Sequence, residues 1–198
     1  VRPLSNAEYL LGKMWGTIRV FLLLNFIVMA VGVICGYTKL GASVDIGSFI
    51  SYFLLINLPT LVYIIGLSTI LMLVIKNQAL TFVILLGYIG LTIYYVGDKC
   101  YYLFDYMCYN VPLMESTITG FADLPSLIIH RLMYLLLGFS FILFSILMFR
   151  RLPNSRFALL PWGIFAVVVL LVTLGLGYIH VNNYIEKDNY RSNLILLN

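Results

Sequence analysis

At 198 residues, 62% hydrophobic and only 10% charged, with a mean hydropathy of +1.02, the chain has too few charged side chains to cover a water-soluble globule, which ordinarily carries about 25%. Lipid must be the solvent for most of it, so this is the sequence of an integral membrane protein. The net charge of +4 does not point to nucleic acid, because no basic run exceeds Arg150-Arg151 and a phosphate-tracking groove needs a broader patch.

The opening stretch RPLSNAEYLLGKMWG reads as a cytoplasmic segment, residues 1–14, lying along the inner leaflet. Leu4, Tyr9, Leu10 and Leu11 dip into the interface while Arg2, Glu8 and Lys13 face water. Ser5 or Asn6 after Pro3 serves as an N-cap, with Glu8 in the first turn, and the segment enters the first span through Gly12 and Gly16. Val1 is not an initiator Met, and the first apolar stretch is too long and wrongly flanked for a cleaved signal peptide. The chain is therefore expected to be a piece of a longer one.

A bilayer-crossing helix needs about 20 apolar residues, and five stretches qualify: 15–36, 49–75, 79–96, 132–149 and 160–181. The fold expected is all-α, a polytopic transmembrane helical bundle. Four spans and the outer loop 97–130 make a unit over 15–149. A basic turn, the fifth span and an outer tail occupy 150–198. The second and third spans are joined only by Lys76-Asn77-Gln78 and form a tight helical hairpin. An alternative with four spans has the third dipping only part-way.

With the N-terminus cytoplasmic, the inner face holds Arg2, Lys13, Arg19, Lys76, Arg150, Arg151 and Arg156 against one acid, Glu8. The outer face holds Lys39, Lys99, Arg131, Lys187 and Arg191 against the other seven acids. That asymmetry follows the positive-inside rule. The spans carry essentially no ionisable residue, apart from Arg19, which snorkels to the inner headgroups.

Neutral polar positions do occur in the spans: Asn25, Asn57, Ser68, Thr69, Thr81, Thr92, Ser140, Ser145 and Thr173. Their expected role is hydrogen bonding between helices. Pro59 frees the carbonyl of Leu55 and bends the second span, which makes Asn57 and Pro59 candidate hinge residues, with simple packing the alternative. Gly12 with Gly16 and Gly32 with Gly36 have the spacing that permits close helix approach.

In the outer loop, Tyr101, Tyr102, Phe104, Tyr106 and Tyr109 suit the aromatic belt of a membrane surface. Pro112 and Pro125 are expected to break the loop into short helices, the second starting near Asp123 or Ser126 and leading into the fourth span. Cys100 and Cys108 share this side, where an oxidising compartment permits a disulfide. On a continuous helix they lie about 12 Å apart, too far to bridge, so a bond between them requires a bent loop. His130 and His180 read as isolated interface residues at helix ends. No catalytic, cofactor-binding or metal motif stands out.

The first fifteen residues resemble the segment preceding the third span of type-2 ATP-binding-cassette (ABC) permeases, in which Arg-Pro-Leu-Ser is followed after a few residues by Leu-Leu-Gly-Lys. Here these are Arg2 to Ser5 and Leu10 to Lys13. By arrangement of spans, the likeness covers about the first three-quarters of the chain. It implies a permease without an ATP site of its own, a separate cytoplasmic ATPase docked on the inner face, and substrate moving between two permease halves in a homo- or heterodimer. Four of six spans would be present, and the absent first two are a departure from the pattern. The tail YIHVNNYIEKDNYRSNLILLN resembles the outward start of an extracytoplasmic region in fused permeases of the Bacteroidetes type.

The expected role is thus the membrane component of an ABC exporter in a bacterial inner membrane, moving a lipid-like or amphipathic substrate. Arg2, Glu8, Lys13 and Lys76 are the candidate ATPase contacts, with plain positive-inside anchoring as the alternative for each. A competing role is a non-transporting anchor or assembly module for an extracytoplasmic domain or partner. A membrane-embedded enzyme ranks last.

Overall fold

Each of the five apolar runs folds as a helix long and apolar enough to cross a membrane. The computed structural model describes residues 6–40, 46–97, 99–111, 115–116, 120–121, 123–149 and 160–196. Helix α1 spans Asn6–Leu40. The next helix begins as α2 (Ile46–Tyr52), widens into a π-helical segment over Phe53–Asn57, and continues as α3 (Leu58–Ile75). Helix α4 (Gln78–Leu91) ends in a second π segment, Thr92–Val96. Strands β1 (Glu115–Ser116) and β2 (Gly120–Phe121) pair antiparallel in the following loop. Helices α5 (Leu124–Met148) and α6 (Leu160–Leu196) complete the bundle.

The turn between α3 and α4 is built as its residues suggest. Lys76 adopts a left-handed φ of 57° and its N–H closes on Met72 O at 3.0 Å, while the Asn77 side chain accepts from the N–H groups of Ala79 and Leu80 and so caps α4. Pro59, which lacks an N–H, lies two residues after the first π segment, whose wider turn relieves its ring against the preceding backbone. The candidate hinge pair therefore sits where the helix departs from α geometry. Asn57 Nδ2 also donates to Met29 Sδ at 3.2 Å, tying this helix to α1.

Helix α5 is the centre of the bundle, with α3 on one side and α6 on the other. A Cβ at Gly138 would lie 2.7 Å from Tyr63 N and Val62 C, and one at Gly66 would lie 2.6 Å from Gly138 O. Two backbones touch there, which only glycine allows. On the opposite flank Ser140 and Ala166, both 0% exposed, let α5 approach α6, with Ser140 Oγ 3.5 Å from Ala166 O. Val62, Ile65, Ile142, Leu143, Ile146 and Val169 fill the core between these contacts.

Several expectations are corrected. Residues 6–14 form the first turns of α1, continuous with the first apolar run, and Leu10, expected to face the membrane interface, is instead packed in the core with Met14, each 5% exposed. They are the only buried residues of α1 among those described, and most of its remaining apolar face is free for lipid. The spaced glycines Gly12, Gly16, Gly32 and Gly36 have nothing within 4 Å of a built Cβ. Most span hydroxyls bond to their own helix instead of a neighbour: Ser68 and Thr69 to Ile65 O, Thr92 to Tyr88 O, Ser145 to Phe141 O and Thr173 to Val169 O. The carbonyl one turn back is always within reach, so it wins.

The helix expected to start near Asp123 or Ser126 does so, with Asp123 as N-cap and Pro125 in the first turn, and it is continuous with the fourth apolar run as α5. The outer tail is no separate segment, because α6 runs on helically to Leu196. Between Val96 and Asp123 the described residues form turns and the β1–β2 pair where short helices were expected. Pro112 lies outside the described residues.

Candidate functional site

The end of the bundle that carries residues 97–123 is here called the loop end, and the end carrying Lys76–Gln78 the turn end. The loop leaves α4 at Gly97, whose N–H bonds Thr92 O at 2.8 Å. A Cβ there would collide with Asn110 Nδ2 and Thr92 O at 2.6 Å, so this position too requires glycine. Cys100, Tyr101 and Tyr102 then follow with φ of 51°, 56° and 63°. Three consecutive non-glycine residues in the left-handed region store strain that must be offset elsewhere.

The offset is visible in the hydrogen bonds that four loop carbonyls receive from helix side chains. Tyr101 O accepts from His180 Nε2 at 3.1 Å and Tyr102 O from His130 Nε2 at 3.0 Å. Leu103 O accepts from Tyr134 OH at 2.8 Å, and Tyr106 O from Arg131 Nη1 at 2.8 Å. His180 comes from α6 and the other three from α5, so the loop is fastened across both helices. Because a carbonyl only accepts, His130 carries its proton on Nε2 and leaves Nδ1 for the Cys108 thiol, 3.8 Å away. The two imidazoles lie 4.9 Å apart, centroid to centroid.

Tyr106, fully buried, is the wedge of the loop. Its ring stacks on Tyr88 at 5.3 Å and tilts against Tyr63 at 5.4 Å, while Tyr63 and Tyr88 join hydroxyls at 2.8 Å. Burial, reinforced by Tyr88 and Asp105, pushes the Tyr106 phenol up to about 12. Its hydroxyl has no hydrogen-bond partner among the described residues. Asp105 is equally enclosed, at 1% exposure, and its Oδ2 accepts from Asn110 N at 2.7 Å.

Arg131 is 2% exposed. The expectation that it lies in an outer loop, and that the spans carry essentially no ionisable residue, is therefore corrected. Once α5 starts at Leu124, Arg131 and His130 fall inside the apolar helix, as does His180 in α6, and all three are enclosed at the loop end. Of the aromatic residues expected at the membrane surface, Phe104 and Tyr109 are exposed, whereas Tyr106 is fully buried within the bundle. Cys100 and Cys108 are free thiols: the loop is bent as a bridge would require, yet Cys108 turns inward to His130 while Cys100 is exposed. Among the described residues no three His, Cys, Asp or Glu converge to hold a metal.

Beside this cluster, Lys187 on α6 pairs with Asp123 and donates to Ser126 Oγ at 3.0 Å, pinning the start of α5. Partial burial pushes the Asp123 carboxyl up, but the hydrogen bonds from Lys187 and Ser126 outweigh it and hold the group below the usual carboxylate range. A depressed folded-state pKa contributes stability at neutral pH that disappears as pH falls through it. Acid unfolding in detergent should thus show wild type losing its advantage over Asp123→Asn only below about pH 4. The pair is partly exposed, so the difference should not exceed about 1 kcal/mol.

The turn end is different in kind. From the first turns of α1 an apolar cleft of about 720 Å³ runs between α1 and the α3–α5–α6 core as far as Leu58 and Val62, walled also by Trp15, Ile18, Phe139 and Phe165. Of the candidate ATPase contacts, Glu8 and Lys13 are exposed on the first turns of α1 and Lys76 is exposed after α3, all at this end. Arg2 lies outside the described residues, as do Arg150, Arg151 and Arg156. No protein-family model, curated protein or solved structure matches the chain.

Proposed function

We propose that the chain is the membrane-spanning component of an ABC-type exporter, moving a lipid-like or amphipathic substrate with energy from a separate cytoplasmic ATPase. The observation that carries this reading is the apolar cleft between α1 and the α3–α5–α6 core. Its volume is within the range of ligand sites, and its wall lacks polar groups, which suits an acyl chain. It is bounded by α1, the helix that buries least, so the cleft can widen without unpacking α3 from α5. The Arg-Pro-Leu-Ser and Leu-Leu-Gly-Lys resemblance at Arg2 to Lys13 supports the same reading, as does the charge asymmetry of the sequence, with seven bases and one acid on the side assigned to the cytoplasm. These features favour a bacterial inner membrane with the N-terminus cytoplasmic, and Glu8, Lys13 and Lys76 as ATPase contacts.

A second reading, a non-transporting anchor for an extracytoplasmic domain or partner, is favoured by α6, which continues past its apolar stretch into exposed residues such as Asn182 and Asp188. Purification from detergent extract followed by reconstitution separates the two. The transport reading expects an ATPase that co-purifies and whose ATP hydrolysis rises when this chain is present, with Lys76→Glu reducing the rise. A chain that leaves the hydrolysis rate of every co-purifying ATPase unchanged would favour the anchor.

A further inference from the structure

Among the enclosed polar groups, Arg131 is the one whose charge is least accounted for. Its Nη1 is held at two points, by Tyr106 O at 2.8 Å and Thr60 Oγ1 at 3.2 Å. Its Nε and Nη2 are buried and have no hydrogen-bond partner among the described residues. A guanidinium never sheds its proton in a protein, and a buried charge left without a counter-charge is strongly destabilising. Asp105 lies near enough to act on the Arg131 charge, but it makes no hydrogen bond to the Nε/Nη2 edge, and its Oδ2 accepts from Asn110 N, so that edge stays open.

The free edge has a definite shape. Nε and Nη2 form the planar fork that accepts two oxygens of one phosphate or carboxylate side by side. The opposite corner is held by Tyr106 O and Thr60 Oγ1 while the loop is closed, and Thr60, on α3, still holds it when the loop lifts. Tyr134 on the same helix and the Tyr63–Tyr106 pair enclose the region, and exclusion of water strengthens a charge-assisted hydrogen bond.

We propose that the Nε/Nη2 fork of Arg131 is a binding site for an oxyanion, reached when the loop over residues 99–111 lifts. Its physiological role rests on the transport reading: the substrate is then an anionic amphipath whose head seats at Arg131. The strain at Cys100–Tyr102 favours release of that loop and the four carbonyl tethers hold it shut, so the loop is the cover, and binding of the oxyanion neutralises the charge beneath it.

The test is titration calorimetry on the full chain in nonionic detergent, without any ATPase, using phosphatidylglycerol, diacylglycerol and inorganic phosphate as probes. Phosphatidylglycerol should bind and diacylglycerol should bind at least about tenfold more weakly. Inorganic phosphate binding with the same Arg131 dependence assigns the site to a free anion, and phosphatidylglycerol alone assigns it to a lipid head. Arg131→Lys, which keeps the charge and loses the fork, should weaken binding about tenfold. Equal affinity for phosphatidylglycerol and diacylglycerol with no phosphate binding overturns the proposal, and so does unchanged affinity in Arg131→Lys. Should that variant not fold, the three-probe comparison on wild type decides alone. ATPase stimulation is read separately, so loss of either property leaves the other standing.

Discussion

Gly138→Leu is expected to prevent stable packing of α3 against α5, and Gly138→Ala to cost about 1–3 kcal/mol. The atoms a new Cβ would strike are Tyr63 N and Val62 C at 2.7 Å and Tyr63 Cα at 2.8 Å. All belong to backbone, which cannot rotate aside as a side chain would, so the helices themselves must separate. Separation moves Tyr63 and Thr60 away from Tyr106 and Arg131, and damage at the crossing therefore spreads to the loop end. Gly32→Ala and Gly87→Ala are the controls: nothing lies within 4 Å of either position, and alanine is the better helix former, so they should be neutral or slightly stabilising. Denaturant midpoints in detergent micelles measure all four variants. Equal midpoints for Gly138→Leu and Gly32→Ala would mean that α3 and α5 do not meet at these glycines.

Tyr106→Ala is expected to cost about 3–5 kcal/mol and to release the loop from the bundle. The ring is 0% exposed and is gripped by Tyr63, Tyr88 and Tyr134, so truncation leaves a cavity under a backbone already strained at Cys100–Tyr102. Hydrogen-exchange protection should fall over residues 99–111 and persist across Gly138 in α5. Tyr106→Phe should behave oppositely, because the hydroxyl it removes is buried without a partner among the described residues. Its loss relieves a desolvation penalty and leaves stability unchanged or slightly raised. A Phe variant as damaging as Ala would show that the hydroxyl is bonded and that the wedge is polar.

The spans were legible because the signal is local: an apolar run of sufficient length declares itself, and Asn77 before α4 has the side chain a cap requires. The helix crossing was not legible, because Gly66 and Gly138 stand alone in their own helices and meet only in space. The spaced glycines that do form a pattern touch nothing. The loop-end cluster was hidden for the same reason, since Arg131 meets Thr60, 71 positions away, and His180 meets Tyr101, 79 away. One local clue did exist. Pro125 belongs in the first turn of a helix, and starting α5 there places Arg131 two turns inside it instead of in an outer loop. A helix starting near Asp123 or Ser126 was expected, but hydropathy set the span itself at 132, so its continuity through Arg131 was not read.

The central claim is that α4 crosses the bilayer, so that the Lys76–Gln78 turn and the loop clamped by Arg131 lie on opposite sides. Single cysteines at Asn77 and Tyr109, both exposed, in a chain with Cys35, Cys100 and Cys108 replaced by alanine, test it with a membrane-impermeant thiol reagent on sealed cells. The account predicts that Tyr109→Cys is labelled in intact cells and Asn77→Cys only after permeabilisation. Labelling of both from the same side would contradict it, leaving α4 as a helix that enters the bilayer and does not cross.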